Sequence, residues 1–322
     1  MARSHFPTDP DENAASIVNA AELVFGALDA AGARSVAEVG AFHGKSTREL
    51  LGWAQGSGAR VVAIDPTPEP ALRELAAARD DLELIEATSV EALAELDADA
   101  VILDGDHNYF TLTEELRLIS ARHPDERLPL LIFHDIGWPL ARRDAYYAPE
   151  RIPPEHRQPL ARDVYLVPGE PGTVDGGMPF ACVAAQEGGP RNGILTAIED
   201  FAAGREQLAF ASVPAFFGVG FAWDRRAPWA DAVAELLAPW DHNPMLERLE
   251  ANRLRQMSER YRITRLLDQL EARSEPRDEL LRTMLGSRAL ALAERASGAV
   301  GRGTPAFSRE QIRAALGESE AR

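Results

Sequence analysis

Apolar positions fall into short blocks separated by polar, glycine- or proline-bearing joints, and the period changes from block to block. Ile17, Ala21, Val24, Phe25 and Leu28 recur at helical spacing, which predicts a helix over Asn13–Ala31. Ser35–Val39 is a short apolar run and predicts a strand. A helix over Ser46–Ala54 follows, with Ser46-x-x-Glu49 in the form of a capping box. Arg60–Ile64 predicts a second strand, ended by Asp65-Pro66. The alternation continues through helix Glu69–Ala78, strand Leu82–Ile85, helix Ser89–Leu96, strand Ala100–Leu103, helix Thr111–Ile119 and strand Leu128–Phe133. Apolar strands alternating with helices imply a parallel sheet covered on both faces. After a break, the pattern resumes with helix Ile194–Ala203 and strands Gln207–Val213 and Phe217–Trp223. The expected class is α/β, a doubly wound, mostly parallel sheet of seven strands.

Residues 137–193 are the break. They are rich in Pro, Gly, Arg and Tyr and have little periodicity. A segment this long without a pattern is expected to be functional, here a lid or a wall for substrate. Beyond Asp224 the chain reads as helical. Asn243-Pro244 has the form of an N-cap followed by proline at the first helical position, and Met245–Ala272 continues as a long helix. That helix would pack on the domain or on a second subunit. Ser308-x-x-Gln311 would cap a short last helix. The expected organisation is a domain over 1–224, with 137–193 as its insertion, and a helical extension over 225–322.

Residues 38–47 read E-V-G-A-F-H-G-K-S-T and resemble two phosphate-binding loops without matching either. The P-loop needs a glycine where Val39 stands, and the dinucleotide fingerprint needs one where Phe42 stands. Composition narrows the class further. Apolar content is 45% and charged content 26%, ordinary for a globular chain, and the net charge of −17 disfavours nucleic acid and anionic membranes as partners. One cysteine, Cys182, excludes a disulfide framework or a thiolate cluster and reads as a small buried apolar residue. The N-terminal residues carry no signal-peptide pattern, and no apolar run approaches membrane-spanning length, so a cytoplasmic enzyme is expected.

In an open parallel sheet, ligands sit outside the carboxyl ends of the strands. The informative residues are therefore Glu38–Thr47, Asp65, Thr88-Ser89, Asp104–His107 and His134-Asp135. Gly40 and Gly44 would let a ligand approach the backbone at the first turn. Asp65, at the end of the second strand, can accept both hydroxyls of a ribose. The ligand therefore has a ribose but needs no pyrophosphate.

The runs E-V-G-A-F-H-G-K-S, V-V-A-I-D, V-I-L-D-G-D-H-N-Y and L-I-F-H-D together resemble the class I S-adenosylmethionine-dependent methyltransferases, over roughly residues 14–223. That resemblance implies a Rossmann-like sheet with an antiparallel last strand, here Phe217–Trp223. It implies that Glu38, Gly40, Gly44 and Ser46 shape the cofactor pocket, that Asp65 holds the ribose and that Ser89 lies near adenine. Asp104-Gly105-Asp106-His107 is similar to the metal-dependent O-methyltransferases of the catechol and macrocin kinds. There a strand-end Asp binds Mg²⁺ and a base lies three residues on, which implies Asp104 as ligand and His107 as catalytic base. Two further ligands are implied at His134 and Asp135. A hard cation lowers the pKa of a hydroxyl it coordinates, and an imidazole of reference pKa ~6.5 is poised to take the proton. An imidazole ligand suits Mn²⁺, Fe²⁺ or Zn²⁺ better than Mg²⁺, and His134 could equally stand outside the coordination.

The resulting expectation is O-methylation of a small polar acceptor such as a sugar or natural product, with S-adenosylmethionine and Mg²⁺ or Mn²⁺. The alternatives are a metal-independent N- or O-methyltransferase, a silent binding protein of the same fold that assembles through its C-terminal helices, and, ranked low, a hydroxylase-system protein. R-R-D-A-Y-Y at 142–147 reads either as a binding surface for the acceptor or as a solvated loop anchored by its tyrosines. His156 is a candidate for facing substrate. His43 is expected to pack in the first loop, His242 to be structural, and His5 and His123 to lie on the surface.

Overall fold

A computed structural model describes residues 16–123, 127–299 and 308–316. The start expected at Asn13 and the surface position of His5 lie outside the described residues. Nine strands are described: β1 Ser35–Val39, β2 Arg60–Ile64, β3 Leu82–Ile85, β4 Ala100–Leu103, β5 Leu130–His134, β6 Leu160–Leu166, β7 Met178–Ala184, β8 Leu208–Val213 and β9 Val219–Asp224. Seven of them form one sheet in the order β3-β2-β1-β4-β5-β9-β8. β1 to β5 are mutually parallel, and β9 runs antiparallel to both β5 and β8. The predicted doubly wound sheet with an antiparallel strand is therefore observed. No helix among the described residues is long and apolar enough to cross a membrane.

The inner strands β1, β2, β4, β5 and β9 read as near-continuous apolar runs because they are buried on both faces. Along β2, Val61 and Ala63 enter one core with Leu28, Leu50 and Phe221, while Val62 and Ile64 enter the other with Leu93, Leu116 and Phe133. The order reverses between β1 and β4, where sequential crossovers turn to opposite edges. In such sheets the crevice for a ligand opens at this switch point.

Three local expectations are corrected. The helix after β1 spans Lys45–Ser57 with Gly44 as its N-cap and no side-chain cap bond. Ser46 does not cap because its hydroxyl is spent on Glu38. The long helix is Pro244–Gly286, extending well past Ala272. Its start is as predicted, since Asn243 Oδ1 accepts from the amides of Met245 and Leu246 at 2.9 and 3.2 Å. The break at 137–193 also holds regular structure, the antiparallel pair β6–β7. Its strands went unread because their burial pattern is irregular on a small two-stranded sheet. The Ser308–Gln311 capping box is present on the helix Arg309–Ala315.

The chain divides into compact units at 1–259 and 260–322. The helix Ala230–Leu237, beyond the boundary expected at 224, places Ala230, Val233 and Leu237 in the core of the first unit. The second unit holds the end of the long helix, the helix Arg288–Ala299 and the last short helix.

Candidate active site

The first strand ends in a buried carboxyl. Glu38 accepts a hydrogen bond from Thr47 Oγ1 at 2.5 Å and another from Ser46. Burial outweighs both bonds and pushes its pKa up to about 7. Gly40 follows at φ +87°, and a Cβ there would collide with the Asp104 carbonyl. Its lack of a side chain thus serves first the crossing of the β1 and β4 ends. Gly44, at φ +71°, caps the next helix in a left-handed conformation that favours glycine. Asp65 ties this loop down: Oδ2 accepts from the Phe42 amide and Oδ1 from the Thr67 amide, both at 2.8 Å. Each carboxylate oxygen accepts two bonds, so one acceptor position on each remains. Phe42 is 51% exposed, with its ring against His43.

Three side chains converge at the ends of β4 and β5. His107 Nε2 lies 3.3 Å from Asp104 Oδ1 and 3.3 Å from Asp135 Oδ2. One donor atom from each of these three residues lies within 4.8 Å of the others, an arrangement that could hold a metal ion. His134 stands behind them. Its Nδ1 is 3.1 Å from Asp104 Oδ1 and 3.5 Å from Asp135 Oδ1. Its Nε2 is 3.0 Å from the Phe216 carbonyl and must carry a proton, because a carbonyl only accepts. Asp104, His107 and Asp135 are close enough to share one ion, and His134, also expected as a ligand, has its Nδ1 against both carboxylates.

The electrostatics separate the two acids. Burial opposes ionisation of Asp104, but His134 and His107 hold its pKa well below the usual carboxylate range. Asp135 is raised, because burial outweighs the attraction of both histidines. Burial lowers both imidazoles, yet the carboxylates win: His107 is raised and His134 is pushed up to about 9. Asp135 also holds a left-handed φ of +59°, and its buried Oδ1 makes no hydrogen bond. A buried oxygen without a donor is costly unless something else satisfies it. Two carboxylates, one imidazole and that open oxygen suit a divalent ion.

The sheet order, the Gly40 crossing and this cluster place the reactive groups at one switch point. Residues 37–136 match the family model described as a methyltransferase domain. This segment is similar to a methyltransferase domain. The match runs from β1 to just past β5 and takes in all the strand-end residues above. Among solved structures, a Podospora anserina methyltransferase bound to S-adenosylhomocysteine aligns at 18% identity, covering 69% of this chain and 83% of that one, with a TM-score of 0.41. A Staphylococcus aureus protein assigned as a caffeoyl-CoA O-methyltransferase aligns at 11% identity over 67% and 88%, with a TM-score of 0.40. No curated protein matches the sequence.

The insertion at 137–193 is built around residues 142–147. Arg143 is buried, and its guanidinium donates to the Ala184 and Pro171 carbonyls, each at 2.6 Å. Asp144 accepts from the Tyr109 amide at 2.8 Å, the Gly193 amide at 2.7 Å and Tyr146 Oη at 2.8 Å. Arg142 pairs with Glu199. These side chains hold the insertion together and are not available to an acceptor. Tyr147 differs. It is 79% exposed, its amide donates to Asp106 Oδ1 at 3.2 Å, and its ring stands near His107. The carboxylates of Asp135, Asp104, Asp106 and Asp65 all act on its hydroxyl, so it hangs between the cluster and the first loop.

Asp106, whose role the sequence left open, touches Asn108, Thr111 and Tyr147 and so anchors the insertion. Ser89 is buried and hydrogen-bonded to Glu115, an interior acid whose pKa burial pushes up to about 8. Glu115 was missed because it sits one position from Glu114 on an otherwise ordinary helix face. Thr47 was legible as the neighbour of Ser46. The Phe216 carbonyl was not, since backbone acceptors leave no mark in a sequence. His156 packs on Phe110, and Cys182 is buried. A hollow of about 320 Å³ lined by Ser120, Arg205, Gln207 and Asp224 lies at the opposite end of the sheet, away from every strand-end residue named here.

Proposed function

We propose that the protein is an O-methyltransferase that transfers the methyl group of S-adenosylmethionine to a hydroxyl of a small polar acceptor, a sugar or natural product, with a divalent ion, Mg²⁺ or Mn²⁺, assisting. The carrying observation is the position of His107, whose Nε2 is 3.3 Å from both Asp104 and Asp135. Asp104 and Asp135 would hold the ion, which lowers the pKa of a bound hydroxyl. His107 is the group placed to take the proton, as an imidazole must be within hydrogen-bond reach of the oxygen it deprotonates. Asp65, with one acceptor position left on each oxygen, is assigned to the ribose. Glu38, Gly40, Gly44 and Ser46 shape the neighbouring pocket floor. Ser89, hydrogen-bonded to Glu115, is assigned to the adenine side of the pocket. The insertion supplies the acceptor wall, with Tyr147 as its exposed edge.

A second reading has a specific observation behind it. His134 and His107 already compensate the Asp104 charge, so the cluster can stand as a metal-free base with two supporting acids. Labelled S-adenosylmethionine, a panel of hydroxylated sugars and amines, and metal-stripped enzyme separate the two. Transfer to oxygen that is lost with the ion and restored by Mg²⁺ or Mn²⁺ supports the first. Full transfer by the stripped enzyme overturns ion assistance, and transfer to amines alone overturns O-methylation.

A further inference from the structure

The turn joining β8 to β9 is held in a conformation its residues do not favour. Phe216 and Phe217 lie at φ +54° and +66°, in the left-handed region usually left to glycine. Such turns persist where the surroundings over-determine them. Here the surroundings come from the first turns of the long helix. Glu250 Oε1 accepts the Phe217 amide at 2.8 Å. Arg253 fixes that carboxylate through two bonds, Nε to Oε2 at 2.7 Å and Nη2 to Oε1 at 2.6 Å. Its guanidinium lies 4.6 Å from the centre of the Phe217 ring and 5.9 Å from that of Phe216. Leu254 packs in the same small apolar cluster as Phe217 and Met178. The far side of the turn reaches the reaction centre, because the Phe216 carbonyl accepts the His134 Nε2–H.

We propose that Glu250 is a positioning residue for the cluster, acting through Phe217, the Phe216 carbonyl and His134, with Arg253 holding Glu250 in place. The chain of contacts is continuous. Glu250 fixes the Phe217 amide, the turn aims the Phe216 carbonyl, and that carbonyl accepts the His134 Nε2–H and so sets how the ring is turned. The other nitrogen then meets Asp104 at 3.1 Å and Asp135 at 3.5 Å in one orientation. Orienting partners of this kind strongly affect the groups they aim. The long helix is therefore part of the site's support, not an appendage to the domain. Arg253 also places positive charge near Asp135, which draws its pKa downward against burial.

The inference rests on reading the cluster as the reaction centre, but its main test is independent of turnover. In the full chain with ¹⁵N-labelled histidine, the His134 Nε2–H is a buried, hydrogen-bonded imidazole proton and exchanges slowly with solvent. Glu250→Ala is expected to speed that exchange by about tenfold or more while amide protection of Ile132 in β5 stays unchanged, the signature of local opening. Glu250→Gln keeps an acceptor for the Phe217 amide and is expected to restore protection. Wild-type exchange in Glu250→Ala overturns the proposal. Should that variant fail to fold, Arg253→Met removes the guanidinium that anchors Glu250 and lies over the Phe217 ring. Faster His134 exchange there supports the proposal, and unchanged exchange overturns it. Titration with Mn²⁺ alone is expected to show binding weakened by about 10-fold in Glu250→Ala. Absence of Mn²⁺ binding in the wild type, with the exchange result intact, counts against ion assistance and leaves the positioning role standing.

Discussion

The ring of Tyr147 stands 6.0 Å from the His107 imidazole, tilted at 58°, and it is the exposed aromatic group of the insertion that reaches the cluster. An exposed aromatic face beside the His107 imidazole can serve as a platform for a sugar ring or a planar acceptor. The pKa of its hydroxyl is raised, first by partial loss of water beside the cluster and then by four carboxylates, and it stays protonated in ordinary buffers. Tyr147→Ala is expected to raise the acceptor KM about tenfold, in line with the ~1–3 kcal/mol of a stacking contact. Tyr147→Phe should stay near wild type. A Phe variant as damaged as the Ala variant would point instead to the hydroxyl.

His107→Ala is expected to lower turnover by about 10²–10⁴-fold, the usual contribution of a general base. Its affinity for S-adenosylmethionine, measured by calorimetry, should change little. Equal losses in affinity and turnover would show that His107 shapes the cofactor pocket and does not take the proton.

Asp65 joins two tasks, tying the first loop and offering acceptor positions. Asp65→Asn keeps an acceptor for one amide and removes the charge. It is expected to weaken S-adenosylmethionine binding by about 1.5–3 kcal/mol, the range for a hydrogen bond to a charged group. Unchanged affinity in a folded variant would remove Asp65 from the ribose site.

Glu115 gives a stability prediction with a definite sign. Its folded pKa is raised to about 8 from a reference of 4.5, mainly by burial. The folded state therefore holds the proton more tightly than the unfolded state. Between those two values stability falls as pH rises, by up to ~1.4 kcal/mol per unit for one group. Glu115→Gln mimics the protonated acid. It should flatten the pH dependence of Tm between pH 5 and 8 (an approximate window) and be more stable than wild type at the upper end. A slope identical to wild type would mean that Glu115 is not the group responsible.

The second unit exposes Ile263, Leu266, Leu267 and Leu270 on one stretch of helix. Light scattering is expected to find the full chain self-associated and a chain ending at Glu259 monomeric. A monomeric full chain would overturn the pairing.

The order of elements and the strand-end stations were legible because they are local. An apolar run buried on both faces, a polar joint and a helical period each record what one short segment meets. Glu38, Gly40, Asp65, Asp104, His107, His134 and Asp135 were singled out by that rule. Tertiary structure decided which of them meet. Asp104 and His134 are 30 residues apart, and His134 and Phe216 are 82 apart, yet all share one site. It also turned Arg143 and Asp144 into internal braces, gave Ser89 to Glu115, and brought Glu250 to the β8–β9 turn. Hydrophobic periodicity encodes a segment's facing, whereas a side chain's partner depends on how distant elements pack, and only the folded chain fixes that.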